Sequence, residues 1–460
     1  MSYTAYLARR AQLGNTHGFA PTHIPDHLFP FQRDLVEWSV LQGRGAIFAD
    51  CGMGKTAMEL AWAQNVHQHT GKPVLVVTPL AVAFQFVAEA AKFGYDAGIS
   101  RDGSIPAPIT VTNYEQLEKF DQSKFGGVVC DESSAIKSFD GKRRQVVTEF
   151  MRLIPYRLLG TATAAPNDFT ELGTSSEALG ELGHIDMLNR FFTNKDQTTD
   201  MRGTYGNRSR FSRSDTGYRF RGHSEIPFWQ WVSSWARSIR KPSDYGYDDG
   251  GFVLPELIER NVVVESMIPN DGELFSVPAH GLDEERRELR KTLTERIEAA
   301  AEILNGVDTG VAWCQLNAES EGVTRLVDGA VEVRGSEPAE AKEEKLAAFS
   351  RGEIRVLVTK PSIGAWGLNW QHCNRMTFFP SHSYEQYYQA VRRSWRFGQT
   401  LPVEVDVITT SSTQSIMRSL QRKAEQADEM FSALIAHMNN AARIDREDRF
   451  TTPLEVPSWL

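Results

Sequence analysis

The chain is poor in cysteine, lacks long apolar runs and is short of positive charge. Its four cysteines, Cys51, Cys130, Cys314 and Cys373, are scattered over 460 residues without a Cys-x-x-Cys pair. Such spacing excludes a disulfide framework, argues against structural zinc and fits a reducing cytoplasm. No uninterrupted apolar stretch approaches the ~20 residues of a membrane helix. The first six residues also lack the basic-then-apolar layout of a secretory signal, so no membrane partner is expected. With a net charge of −9, composition does not announce a polyanionic partner, and any surface for one must be local. There is no repeat of solenoid period and no long low-complexity tract. What is present is an apolar fraction of 41%, ample for cores, in a length that suits two domains and a smaller third.

Residues 46–56 carry the clearest chemistry. Ala46-Ile47-Phe48-Ala49 reads as a short apolar strand, and Asp50-Cys51-Gly52-Met53-Gly54-Lys55-Thr56 as a glycine-bearing turn opening a helix. Gly52 and Gly54 let backbone N–H groups turn inward around an anion, and the helix adds its positive end. Lys55 is placed to reach β- and γ-phosphates, and the Thr56 hydroxyl to hold Mg²⁺. Ala49 stands where the strict pattern has its first glycine. The following helix is expected to stop near Gly71, and Val74–Thr78 to form a buried strand. A second landmark is Gly127-Val128-Val129-Cys130-Asp131-Glu132. Two carboxylates ending a buried strand suit two jobs, Asp131 in the Mg²⁺ shell and Glu132 as base for the attacking water.

Positive charge is concentrated between Arg190 and Lys241, with eleven Lys/Arg against four acids. Arg208, Arg210, Arg213, Arg219 and Arg221 alternate there with Tyr205, Phe211, Tyr218 and Phe220, a pattern that suits phosphate contact with base stacking. Trp231 and Trp235, at i,i+4, read as helix packing. His67 and His69, at i,i+2, do not share a helix face and are read as solvated, not metal-binding. Residues 282–305 and 413–444 read as helices, the second with Ile416, Leu420, Met430, Leu434 and Met438 as its apolar face.

In order along the chain, these and further segments resemble the motifs of a superfamily-two nucleic-acid motor of the Swi/Snf-like branch. The likeness runs from about residue 28 to 424. Leu28 through Trp38, containing Phe31 and Gln32, resembles the opening motif whose glutamine reads adenine. Thr78-Pro79 and Thr112-Asn113-Tyr114-Glu115 are similar to motifs that touch a DNA backbone. Asp131-Glu132-Ser133-Ser134 resembles the Asp-Glu-x-His box. Gly160-Thr161-Ala162-Thr163 resembles the element coupling nucleotide state to lobe movement. Thr359-Lys360 through Gly364, Gly367 and Asn369 is similar to the glycine-rich DNA- and nucleotide-facing loop. Most specific is Gln389-Ala390-Val391-Arg392-Arg393-Ser394-Trp395-Arg396-Phe397-Gly398-Gln399, matching the Gln-Ala-x-x-Arg-x-x-Arg-x-Gly-Gln signature at full spacing. If helical, Arg393 and Arg396 share a face. Two guanidiniums meeting a transferring phosphoryl group would act as arginine fingers, worth roughly 10³–10⁵ in rate. Arg392 is read as an ordinary salt-bridge residue.

The resemblance implies α/β architecture: two RecA-like lobes with parallel sheets, and a basic insertion between them. The expected division is an N-terminal segment over 1–27, lobe one over 28–170, an accessory insertion over 171–255, lobe two over 256–440 and a tail over 441–460. ATP and Mg²⁺ are the implied cofactors. The implied partner is DNA, duplex favoured, with single strands or junctions also in range. The implied activity is ATP-driven translocation. A strand-separating helicase, an ATP-gated clamp, and the motor subunit of a nuclease, replication, recombination or defence complex stand as alternatives. Two departures are Ser134 in place of the box histidine and a phosphate loop one residue shorter than the usual Snf-type version. The absence of recognisable chromatin-reading or nuclease appendages suggests a bacterial or phage protein, in the latter case working in the host cytoplasm.

Overall fold

The computed structural model describes residues 17–138, 141–165, 168–194, 217–264, 289–364, 368–410 and 414–447. Apolar runs bounded by turn residues become two parallel sheets. The first seven-stranded sheet takes β1 (Arg44–Ala49), β2 (Val74–Thr78), β3 (Ala97–Ile99), β4 (Ile109–Asn113), β5 (Gly127–Cys130) and β6 (Tyr156–Thr161). A two-stranded antiparallel pair, β7 (Phe192–Asn194) and β8 (Tyr218–Phe220), stands outside it. The chain then returns to supply its edge with β9 (Ala236–Ile239), and the order is β3-β4-β2-β5-β6-β1-β9. The second sheet holds β10 (Leu257–Val264), β11 (Gly310–Trp313), β12 (Ala330–Glu332), β13 (Val356–Thr359), β14 (Arg375–Phe378) and β15 (Val403–Thr410), in the order β10-β15-β14-β11-β13-β12.

Every residue of β2, β4 and β5 is buried. Helices cover both faces, which is why β2 and β5 read as continuous apolar runs without alternation. The two faces of each sheet carry separate hydrophobic clusters. This is the α/β architecture of two parallel lobes that the sequence implied. The sheet of the first lobe reaches further along the chain than residue 170, because β9 pairs in parallel with β1 over Ala46–Ala49. The helix Glu225–Trp235, which leads into β9, buries Phe228, Trp229, Trp231 and Trp235 against that lobe.

The helix Gln414–Glu447 links the lobes. Its start packs Ile416 and Leu420 against Tyr384 of the second lobe. About three to four turns beyond Leu420, Met430, Phe431 and Leu434 lie in the tryptophan-rich core of the first lobe. One amphipathic face thus spans both bodies. Among the described residues, no helix is long and apolar enough to cross a membrane, and no group of three His, Cys, Asp or Glu residues could hold a metal ion. His69 instead stacks on Phe19, and His67 bonds the Lys72 carbonyl.

Candidate nucleotide site between the lobes

The phosphate loop leaves the C-terminal edge of β1 and runs into the helix Lys55–Thr70, which Gly71 ends in a left-handed cap. Gly54, at the helix N-cap, has φ +78°, and a Cβ there would lie 2.3 Å from the Gln32 amide nitrogen. Only glycine satisfies both demands. Gln32 is occupied with shaping this loop: its amide donates to the Met53 carbonyl at 2.9 Å and accepts from the Phe29 N–H at 2.9 Å. Phe31 is buried with its ring edge-on to Phe252.

Lys55 points back over the loop, 3.5 Å from Glu132 and 3.3 Å from the Ala49 carbonyl. Burial pulls its ammonium down, but Glu132 and the neighbouring acids outweigh this and hold it above the ordinary lysine value. Asp131 and Glu132 follow β5 directly. Burial first, and the Glu132 charge second, raise Asp131 above the usual carboxylate range. Thr78 donates to Asp131 at 3.1 Å, and the Glu132 N–H caps its other oxygen at 2.9 Å. Glu132 is the one non-glycine residue with positive φ, 48°, among the described residues. Strain of this kind concentrates where a side chain must be aimed.

The segment 160–163, expected to couple nucleotide state to lobe movement, lies beside these acids. Thr161 reaches Glu132 at 3.5 Å, and Thr163 donates across the lobe boundary to Glu385 at 3.2 Å. Ala162 is buried. Gly160 is fixed by close approach, since a Cβ there would sit 1.9 Å from a Glu59 carboxylate oxygen.

From the second lobe comes the turn after the helix Tyr384–Val391. The helix stops at Val391, so Arg393 and Arg396 share a side through successive turns and not through helical spacing. Gln389 is buried and holds Arg393, accepting from its guanidinium at 2.6 Å while its carbonyl accepts from Nε at 2.9 Å. Arg393 and Arg396 both donate to the Leu368 carbonyl, at 3.1 and 3.2 Å. Burial and the neighbouring Arg393 push Arg396 down to about 10.

The two halves meet in one cleft of about 220 Å³, lined by Asp50, Cys51, Gly52, Gly54, Lys55, Thr56, Asp131, Glu132, Arg393, Arg396 and Phe397 among others. A Cβ on Gly52 would come within 2.9 Å of the Phe397 amide, so the lobes are closed on each other. The donor set fits a magnesium nucleotide. Gly-lined backbone and Lys55 suit phosphates, and the Thr56 hydroxyl with the Asp131 carboxylate offers the hard oxygens Mg²⁺ prefers.

Residues missed in the sequence also appear. Phe252 and Phe397 stack 4.5 Å apart and join Phe29 and Phe31 in an aromatic group at the cleft. Arg392, read as an ordinary salt-bridge residue, is buried and pairs with Asp50 across the lobes. Asp50 stands immediately before the loop, and that adjacency was the available signal.

The expected nucleic-acid contacts divide. The Thr78, Asn113, Tyr114 and Thr359 side chains are buried. Tyr114 donates to the Asp131 carbonyl at 2.8 Å, Asn113 caps the Gln116 N–H at 3.1 Å, and Thr359 donates to the Val333 carbonyl at 3.2 Å. Their side chains are thus engaged inside the lobes. Pro79 and Lys360 are half-buried, and Arg219 and Arg221 are exposed. Arg221 holds the Phe192 carbonyl at 3.0 Å. Arg208, Arg210, Arg213 and Gly367 lie outside the described residues.

No family model and no curated protein matches the chain. Among solved structures it is similar to the SWI2/SNF2 ATPase core of Sulfolobus solfataricus in complex with dsDNA. The identity is 16%, the match covers 95% of this chain and 98% of the other, and the TM-score is 0.40.

Proposed function

We propose that the protein is an ATP-hydrolysing DNA motor of the Swi/Snf-like type that steps along duplex DNA. The observation that supports it best is the cleft in which Lys55, Thr56, Asp131 and Glu132 of one lobe face Arg393 and Arg396 of the other. In this reading Lys55 and the loop backbone bind the phosphates. Thr56 and Asp131 would hold Mg²⁺, which when bound would supply charge neutralisation at the phosphate oxygens. Glu132 orients and deprotonates water, and its backbone strain keeps the carboxylate aimed into the cleft. Arg393 and Arg396 stabilise charge developing on the transferred phosphoryl group. The arginines come from the far lobe, so hydrolysis requires closure, and each turnover is tied to relative lobe movement. Thr163 bonded to Glu385 is the contact through which that movement reaches Glu132.

DNA would be gripped by both lobes and by the basic segment that includes Arg208, Arg210, Arg213, Arg219 and Arg221. The test is the steady-state ATPase rate with no polynucleotide, single-stranded DNA, duplex DNA and RNA. The proposal expects the largest stimulation by duplex DNA. Nucleotide binding with negligible turnover on every polymer would mark a clamp, and greater stimulation by single strands would favour a strand-separating helicase.

A further inference from the structure

We propose that Arg392, Asp50 and Tyr388 form a charge latch that docks the second lobe on the phosphate loop and so positions Arg393 and Arg396. The proposal rests on the ATP-site reading above. Arg392 directly follows the helix Tyr384–Val391, and its side chain is 3% exposed. One guanidinium nitrogen meets the Asp50 carboxylate and also donates to the Cys51 carbonyl at 3.3 Å. The other donates to the Trp395 carbonyl at 3.1 Å. A single planar group therefore ties the arginine-bearing turn to the phosphate loop. Tyr388, one turn earlier, donates to the second Asp50 oxygen, which also accepts from the Cys51 N–H at 2.6 Å. The Tyr388 and Trp395 rings flank the cation, with centroids 5.6 and 4.9 Å away.

The energetics make this a latch and not an adhesive. With the lobes apart, Asp50 and Arg392 are both hydrated. With the lobes together, Arg392 is buried, Asp50 is largely covered, and each depends on the other. Formation of such a pair is nearly balanced by desolvation, whereas burying one charge without its partner is strongly unfavourable. Removing either partner therefore penalises the closed state alone and shifts a two-state equilibrium toward opening. The pair also fixes register, because the guanidinium must reach Asp50, Cys51 and Trp395 together. Asp50 and Arg392 thus act as positioning residues, through the groups they hold.

The test uses the full chain with cysteines placed at exposed Glu118 and Asp308, one in each lobe. The four native cysteines are buried, so labelling can be selective. The distance between labels is read for wild type, Arg392→Ala, Asp50→Asn and Arg392→Lys, each first checked for cooperative unfolding. Asp50→Asn keeps an acceptor for the Cys51 N–H and removes only the charge. Both neutralising variants should shift the population to longer distances, and Arg392→Lys should lie between Arg392→Ala and wild type. Stimulated kcat should fall about tenfold or more in the neutralising variants, with KM for ATP moving less than about threefold. Unchanged distances in Arg392→Ala and Asp50→Asn, open lobes with wild-type kcat, or a lysine variant no better than alanine would overturn the latch. A wild-type protein without ATPase activity would overturn the functional reading instead, leaving the distance measurement to judge the latch alone.

Discussion

Lys55 and Glu132 face each other across 3.5 Å, and their roles separate by substitution. Lys55→Ala removes the point charge proposed to meet the phosphates. Hydrolysis should fall by at least about a hundredfold, together with nucleotide affinity. Glu132→Gln keeps size and hydrogen bonding but loses the proposed base. Nucleotide binding should stay near wild type while turnover stops, as measured by labelled-nucleotide binding beside phosphate release; wild-type turnover would remove Glu132 from the base role. Arg296 offers a residue-scale contrast far from this chemistry. It is buried, pairs with buried Glu319 and lies 5.5 Å from the Phe379 ring. Arg296→Ala would leave Glu319 an unpaired buried carboxylate, at a cost of about 3–5 kcal/mol in urea unfolding. Loop glycines, Lys55 and the Asp-Glu pair were legible in the sequence because local geometry and charge type define them. Arg392 does form a salt bridge, but its burial and its partner were not legible, because Asp50 is 342 positions away and local spacing says nothing about that distance.

Among elements, the helix Gln414–Glu447 shows what periodicity can and cannot tell. Its apolar face was legible, since the 3.6-residue period marks which side is buried. Its destination was not, because the same stripe fits any apolar surface. The face meets the second lobe through Leu420 and the first through Leu434. Leu434→Ala should leave a cavity beside the tryptophans and destabilise the first lobe by about 2–5 kcal/mol, visible as a lower unfolding midpoint. The end of the neighbouring helix at Val391 was likewise hidden. The turn that follows is held by tertiary bonds, among them Trp395 Nε1 to the Pro255 carbonyl at 2.7 Å. For the basic segment the expectation is electrostatic. Replacing Arg208, Arg210, Arg213, Arg219 and Arg221 together should weaken DNA binding and flatten its salt dependence by about 0.9 log units per lost phosphate contact. Basal ATPase should be unaffected. An unchanged slope and affinity on both duplex and single strands would reduce this segment to a solvated loop.

For the whole molecule, the decisive feature of the proposed site is that its cleft is lined from both lobes. Lys55, Thr56, Asp131 and Glu132 belong to the first, and Arg393 and Arg396 to the second, with one cleft receiving both sets. The division into two parallel lobes was legible through the resemblance of the ordered motifs, and the central strands β2 and β5 through their buried apolar runs. That β9 completes the first sheet after a long excursion was not legible, since four strand residues carry too little pattern to name a neighbour. A site divided this way makes a prediction that a one-lobe ATPase does not. Arginines that count only after closure can be removed without loss of nucleotide binding yet with loss of stimulated turnover. The most direct measurement is ATP binding and duplex-stimulated hydrolysis by Arg393→Ala and Arg396→Ala, separately, beside wild type. Binding within about threefold of wild type with stimulated kcat lowered more than tenfold, or more than about 1.4 kcal/mol of transition-state stabilisation, is the result the split site predicts. Wild-type stimulated turnover in both variants would contradict it.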